Sequence, residues 1–212
     1  VIELDRGESG DAFSIRVNDV PVFCRGACWT TVDIVAIGGP REAYRTALEM
    51  ARDAGMNMLR IGGTMLYEDD VFYDTCDELG ILVWQDFMFA NMDYPVADET
   101  FIASVRREAA ELCSRLRHRP STALLCGNSE VAQQAAMLGL PRDAWSNALF
   151  AELLPEVIAS ACPGVPYWPS SPSGGNLPFQ VSAGVAHYYG VGAYERPLED
   201  ARRSNVRFAA EC

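Results

Sequence analysis

The sequence predicts an α/β fold with parallel strands inside and helices outside, and of the two common forms of that fold it favours a closed (β/α)8 TIM barrel. Three observations carry this. Short apolar stretches ending in glycine or polar residues alternate with amphipathic helical stretches along most of the chain, a pattern that makes successive strands parallel. The strand candidates number seven between residues 25 and 210, nearly all separated by helices. No G-x-G-x-x-G follows the first of them, which removes the main argument for an open dinucleotide-binding sheet. The eighth strand and its helix are expected beyond Cys212.

Residues 1–12 are polar and acidic and read as a linker from a preceding domain, leaving 13–212 as the barrel. The stretches 13–17 and 20–24 alternate about Asn18-Asp19, a hairpin signal, and lead to a first strand tip at 25–29. Helix 41–54 sets Tyr44, Ala47, Leu48 and Ala51 on one face and stops at Gly55. Strand 57–61 runs out at Gly62-Gly63. Helix 69–79 turns Phe72, Cys76 and Leu79 inward before Gly80, and strand 81–84 ends in Gln85-Asp86. After a loop containing Asn91, Asp93, Tyr94 and Pro95 comes the longest helix, 98–117, with the stripe Phe101, Val105, Leu112 and Leu116. His118-Arg119-Pro120 ends it, and strand 122–126 follows. Helices at 131–138 and 143–161, the latter interrupted by Pro155, precede strand 166–168 and a breaker-rich loop at 170–176. Strand 185–188, helix 197–204 and strand 206–210 complete the chain, with Glu211 at the last tip.

With 212 residues, 49% of them hydrophobic, the chain can bury one large core. A net charge of -12 excludes nucleic acid and anionic membrane surfaces as partners, since both need a concentrated excess of Lys and Arg. A neutral substrate fits better. No apolar run reaches the roughly 18 residues of a membrane span, and no signal segment opens the chain. Both ends read as cut from something longer, so the compartment is not legible. Cys24 and Cys28 have metal-ligand spacing, but no second close pair accompanies them and structural zinc takes four ligands. The cysteines are expected reduced and packed, with no metal.

Chemistry in a barrel sits at the C-terminal strand ends. The fourth strand delivers Glu130 through Leu124-Leu125-Cys126-Gly127-Asn128-Ser129, and the seventh delivers Glu211. Two carboxylates about 5–5.5 Å apart suit retaining glycoside hydrolysis, one protonating the leaving oxygen and the other attacking the anomeric carbon. Spacing alone is equally met by a helix-cap neighbour and a solvated loop charge. Arg60, at the second strand tip, is either a cation beside a carboxylate or a surface salt bridge. Trp29, Trp84, Trp168, Tyr188 and Tyr189 are candidate sugar platforms as well as candidate core, while Asp33, Asp86, Asn128 and His187 could hydrogen-bond a substrate.

The run Tyr67-Glu68-Asp69-Asp70-Val71-Phe72-Tyr73-Asp74-Thr75-Cys76-Asp77-Glu78-Leu79-Gly80-Ile81-Leu82-Val83-Trp84-Gln85-Asp86-Phe87-Met88-Phe89-Ala90 closely resembles the barrel of β-mannosidases in glycoside hydrolase family 2. The resemblance continues, in order, through Arg115-Leu116-Arg117-His118-Arg119-Pro120-Ser121, residues 127–130, Tyr167-Trp168-Pro169-Ser170-Ser171-Pro172-Ser173 and residues 208–211. It implies Glu130 as general acid/base, Glu211 as nucleophile and Arg60 as the nucleophile's support. It further implies a β-mannoside or related β-glycoside substrate, β-sandwich domains ahead of the barrel in the same longer chain, and no metal or organic cofactor. Ser129 stands where the wider clan usually has an Asn that contacts the sugar 2-hydroxyl, a contact that Asn128 could take over. Two rival readings stay open. One is a barrel that binds carbohydrate without turning it over. The other is a serine hydrolase, because Gly127-Asn128-Ser129-Glu130-Val131 is similar to the G-x-S-x-G elbow apart from Val131, with Ser129 as nucleophile and His187 as base.

Overall fold

The computed structural model describes residues 1–91 and 93–212. Strands β1 (Ile2–Asp5), β2 (Ser14–Val17) and β3 (Val20–Val22) form an antiparallel sheet. The linker expected at 1–12 is therefore partly a strand. Ile2 and Leu4 alternate with charged residues, pair with Val17 and Ile15, and pack against the cluster around Phe13. The β2–β3 turn carries Asn18 and Asp19 at φ 49° and 65°, the left-handed conformation that a two-residue hairpin turn needs.

The main sheet follows the predicted alternation. β4 (Gly26–Cys28), α1 (Arg41–Asp53), β5 (Met58–Ile61), α2 (Asp70–Leu79), β6 (Leu82–Asp86), α3 (Glu99–Leu116), β7 (Thr122–Cys126), α4 (Val131–Met137), α5 (Leu154–Ala161) and β8 (Tyr167–Trp168) give a parallel sheet of order β4-β5-β6-β7-β8. β9 (Ala186–His187), α6 (Leu198–Arg203) and β10 (Ala209–Glu211) follow, and β9 pairs in parallel with β10. The wall curls round on itself, since Cys28 Sγ on β4 donates to the carbonyl of Ala210 on β10 at 3.4 Å. Helix 143–161 differs from expectation. It divides into a 3₁₀ turn at Arg142–Ala144, a π turn at Leu149–Leu153 and then α5. The wide turn lies directly before Pro155, which has no N–H and whose ring crowds the carbonyl four residues back.

Two cores explain the wall. β5 and β7 are buried along their whole length, as strands covered on both faces must be. Alternation then sends Leu59, Ile61, Val83 and Leu125 outward to the helices. Met58, Trp84, Leu124, Cys126 and Trp168 point inward, where Phe13 joins them from the hairpin. Phe13 stacks on Trp84 at 5.4 Å and meets Trp168 edge-on at 5.1 Å. All seven cysteines are free thiols, four of them buried. No helix among the described residues is long and apolar enough to cross a membrane.

Candidate active site

Glu130 is placed by a crowded turn at the end of β7. Gly127 passes so close to β8 that an added Cβ would lie 2.3 Å from the Pro169 carbonyl oxygen, so only glycine fits. The next residues are stitched to their neighbours, with Ser129 N–H donating to Phe89 O at 2.9 Å and Glu130 N–H to Ser171 O at 2.6 Å. Glu130 itself adopts φ 67°, ψ 2° immediately before α4, a strained conformation for a residue with a side chain and one that concentrates at functional sites.

Its carboxylate is surrounded by donors. His187 Nδ1 lies 2.8 Å from Oε1; an ionised carboxylate can only accept, so Nδ1 carries the hydrogen. Gln133 and Gln134, one turn along α4, donate at 2.9 and 3.3 Å. Hydrogen bonding from His187 draws the Glu130 carboxyl below its ordinary pKa, and this outweighs the opposing effect of burial. Across from it, Glu211 accepts from Arg60 Nη1 at 2.6 Å and from the Tyr189 hydroxyl at 2.6 Å. Burial pushes the Glu211 carboxyl up, but the charges and hydrogen bonds of His187, Arg60 and Tyr189 more than offset it, so its pKa is also lowered. Facing atoms of Glu130, His187 and Glu211 all lie within 4.8 Å of one another.

Arg60 joins this pair to the barrel interior. It is 4% exposed and reaches Asp86 Oδ2 at 2.8 Å and Ser129 Oγ at 3.2 Å. Asp86 is fully buried and also accepts from Trp84 Nε1 at 2.7 Å and Gly63 N–H at 3.0 Å. Removing the cation strands that carboxylate. We expect Arg60→Leu to cost about 3–5 kcal/mol of stability, read as a lowered unfolding midpoint, with Arg60→Lys intermediate because an ammonium cannot span Asp86 and Glu211 as a fork does. An unchanged midpoint in Arg60→Leu would contradict this account.

One histidine and two carboxylates could in principle hold a cation. Here, however, the Arg60 guanidinium already occupies Glu211, and Tyr189 and the two glutamines take further acceptor positions. The donor set is built to neutralise anions by hydrogen bonding.

Of the residues singled out from sequence, Glu130, Glu211, Arg60, Ser129, Asp86 and His187 come together in this one network. Others do not join it. Trp29 packs on Phe72 at 5.0 Å and donates its indole N–H to buried Glu68; it follows inward-facing Cys28, so alternation turns it outward to the helices. Asp33 is exposed and caps its own turn through Val35 and Ala36 N–H. Trp168 fills the barrel interior, and Trp84 does so too, touching the network only through its indole N–H to Asp86. Asn128 is occupied by Val131 N–H, Ser170 Oγ and the Pro169 carbonyl. Tyr188 donates to Asp200 at 2.5 Å, away from the carboxylates.

Three contributors had readable signals. Tyr189, expected only as a platform, lies two residues beyond His187 and so shares its face of an extended chain. Gln133 and Gln134 lie three and four residues beyond Glu130, the helical neighbour spacing. Ser171 had none. Its hydroxyl, fully buried, sits 2.9 Å from His187 Nε2, an encounter between β8 and β9 that spacing cannot show. The serine-elbow reading loses its base here, because Ser129 bonds Arg60 while His187 bonds Ser171 and Glu130. Ser171, with no exposure, cannot meet a substrate.

No family model matches the sequence. β-Mannosidase B of Aspergillus fumigatus is 37% identical over 196 residues, which is 86% of this chain and 23% of that protein. β-Mannosidase B of Thermothelomyces thermophilus is 35% identical over 199 residues, 87% of this chain and 23% of the relative. The crystal structure of β-D-mannosidase from Dictyoglomus thermophilum superposes with a TM-score of 0.89 at 38% identity, covering 100% of this chain and 26% of that one. The exo-chitosanase CsxA of Amycolatopsis orientalis, at 20% identity and TM-score 0.66 over 81% of this chain and 19% of its own, shares the fold. The class defined by fold and similarity is therefore a (β/α)8-barrel segment of the kind that glycosidases carry. More particularly, the chain is similar over nearly its whole length to a barrel segment of β-mannosidases. It spans about a quarter of the length of the curated relatives it matches, 23% in each case given.

Proposed function

We propose that this segment forms the catalytic centre of a retaining β-glycoside hydrolase acting on β-mannosides, in a longer protein that carries β-sandwich domains ahead of the barrel. The observation that supports it most is the pair Glu130 and Glu211, with facing atoms within 4.8 Å of one another. Retaining enzymes hold their carboxyl groups about 5–5.5 Å apart, whereas inverting ones need roughly 6.5–9.5 Å to admit a water.

Glu211 is the nucleophile. Arg60 and Tyr189 keep it ionised and hold its oxygens in place, so it can attack the anomeric carbon. Glu130 protonates the departing oxygen and, in the second half of the reaction, takes the proton from the attacking water. The hydrogen bonds that lower the Glu130 pKa oppose its acid role, so the protonated fraction is present only at lower pH. The active singly protonated pair is thus a minor form at neutrality, and kcat/KM is expected to fall as pH rises toward 7. A kcat/KM that keeps rising through pH 7 to 9 would contradict this.

Ser171 acts through His187. Its hydroxyl anchors the imidazole and polarises it, strengthening the Nδ1–H bond to Glu130. In Ser171→Ala the carboxylate loses part of that stabilisation, its pKa rises, and the basic limb of the kcat/KM profile moves up by about half a pH unit. A loss of activity with an unmoved limb would mean that Ser171 only packs.

The reading as a whole is tested by incubating the intact protein with aryl β-mannosides and following the product anomer by NMR. Initial release of β-mannose supports it. Initial α-product would exclude the double displacement, and binding without turnover would favour the carbohydrate-binding barrel.

A further inference from the structure

Helices cover the outside of the wall, and α3 and α5 lie side by side there. Each carries the chain back from the tip of one strand to the start of the next, β6 to β7 for α3 and β7 to β8 for α5, so the two run parallel. Arg106 on α3 reaches Glu156 on α5 at 3.0 Å, which marks their register. Seven residues beyond Arg106 comes Cys113, and six beyond Glu156 comes Cys162. At a rise of about 1.5 Å per residue, both lie roughly 10 Å along from the ion pair, so the register sets the two cysteines opposite each other. Both are free, both are buried without exposure in the same apolar cluster, and their side chains share a hydrogen bond. This thiol pair has no part in the chemistry of Glu130 and Glu211.

The two sulfurs are not equivalent. The hydrogen bond from Cys113, helped by the Arg117 guanidinium at the end of α3, draws the Cys162 thiol below its ordinary pKa against the opposing effect of burial. The same hydrogen bond, together with burial, pushes the Cys113 thiol up. Cys76 and Cys126 are buried as deeply, but there burial dominates and pushes both thiols up. Thiolate character therefore gathers on Cys162 with a second thiol beside it, the arrangement in which one sulfur attacks and the other resolves. Cys162 is also the nearer of the two to water. It ends α5 at φ -139°, ψ 51°, already off the helix, and Pro163 and Gly164 after it are exposed. Fraying of that last turn admits a reagent without opening the core.

We propose that Cys113 and Cys162 form a reversible thiol–disulfide site, oxidised by a low-molecular-weight disulfide to a cross-link that ties α3 to α5. The Cys162 thiolate attacks one sulfur of the reagent, whose S–S bond breaks and releases the other half as a thiolate. Cys113 then gives up its proton and attacks the Cys162 sulfur, expelling the second half. Two protein thiols are oxidised by two electrons, the reagent is reduced to two thiols, and the two protons end on those thiols. The loop so closed holds β7, Glu130 and α4, so the cross-link braces the strand that delivers this carboxylate.

The test treats the intact protein with oxidised glutathione in native buffer, alkylates the remaining thiols in denaturant and maps the peptides without reduction. The peptides holding Cys113 and Cys162 should appear joined and lighter by two hydrogens, with Cys76 and Cys126 alkylated, and dithiothreitol should part them. Amide hydrogen exchange in the last turn of α5 should slow at least about tenfold in the oxidised protein, because the cross-link blocks its opening. In Cys113→Ser a mixed disulfide with glutathione should accumulate on Cys162, whereas Cys162→Ser should leave Cys113 unmodified. A map in which Cys113 and Cys162 both stay free, or join other partners, overturns the proposal. So does a cross-linked protein whose exchange is unchanged. The wild-type map decides the site whether or not either variant folds.

Discussion

Glu211→Gln is expected to lower kcat/KM for aryl β-mannosides by a factor on the order of 10⁴ or more, with no loss of fold. A covalent nucleophile has no substitute in the site, and removing one from an assembled catalytic group forfeits most of the rate enhancement. Glutamine keeps the volume and can still meet the Tyr189 hydroxyl, and it removes a charge from a position that is only partly buried. Stability therefore changes little compared with activity. Two measurements make the assignment specific. A 2-deoxy-2-fluoro β-mannoside should leave a covalent adduct on Glu211 in the wild-type protein. Added azide should restore turnover to Glu211→Ala, yielding the α-azide because a single displacement inverts. An adduct on another residue, or azide rescue with β-product, would sink the assignment.

The main sheet was legible because its signals are local. Each helix ends on a glycine or a proline-containing breaker, and each strand is short and apolar, so β4 to β8 fall where alternation puts them. Alternation also reaches into the site. Once Met58 and Trp84 are known to face inward, Arg60 and Asp86 must do so too, two residues farther along the same strands. The same rule, applied from Cys28, would have moved Trp29 out of the site and into the helix layer. What stayed illegible depends on contacts across the barrel. The strand Ile2–Asp5 is too short and too acidic to stand out, and becomes a strand only because β2 offers it a partner and Phe13 an apolar neighbour. Ser171 acquires its role from the approach of β9 to the loop after β8, through an isolated pairing of Ser173 with Val185. Single-residue polar contacts between distant segments leave no periodicity to read.

Glu130→Ala should separate two kinds of substrate. For a leaving group that needs protonation, the loss of a general acid is expected to cost about 10²–10⁴-fold in kcat/KM. For a dinitrophenolate, stable as an anion, departure needs no proton, so kcat/KM should stay within about tenfold of wild type while kcat falls, because the glycosyl-enzyme then waits for a water that no base activates. Azide needs no base either, and should accelerate that second step to give the β-azide, the stereochemical opposite of the Glu211→Ala product. On the proposed reading the two carboxylates divide the work although both are drawn below the ordinary carboxylate pKa. Glu211 is held by a guanidinium whose charge is permanent, so its ionisation survives substrate entry. Glu130 is held by neutral amides and by an imidazole. A glycosidic oxygen entering between Glu130 and these donors weakens their hydrogen bonds and removes water, and both changes raise the Glu130 pKa. Substrate binding thus favours the proton on the residue that must deliver it. A Glu130→Ala protein that lost dinitrophenyl and alkyl mannosides equally in kcat/KM would refute this division of roles.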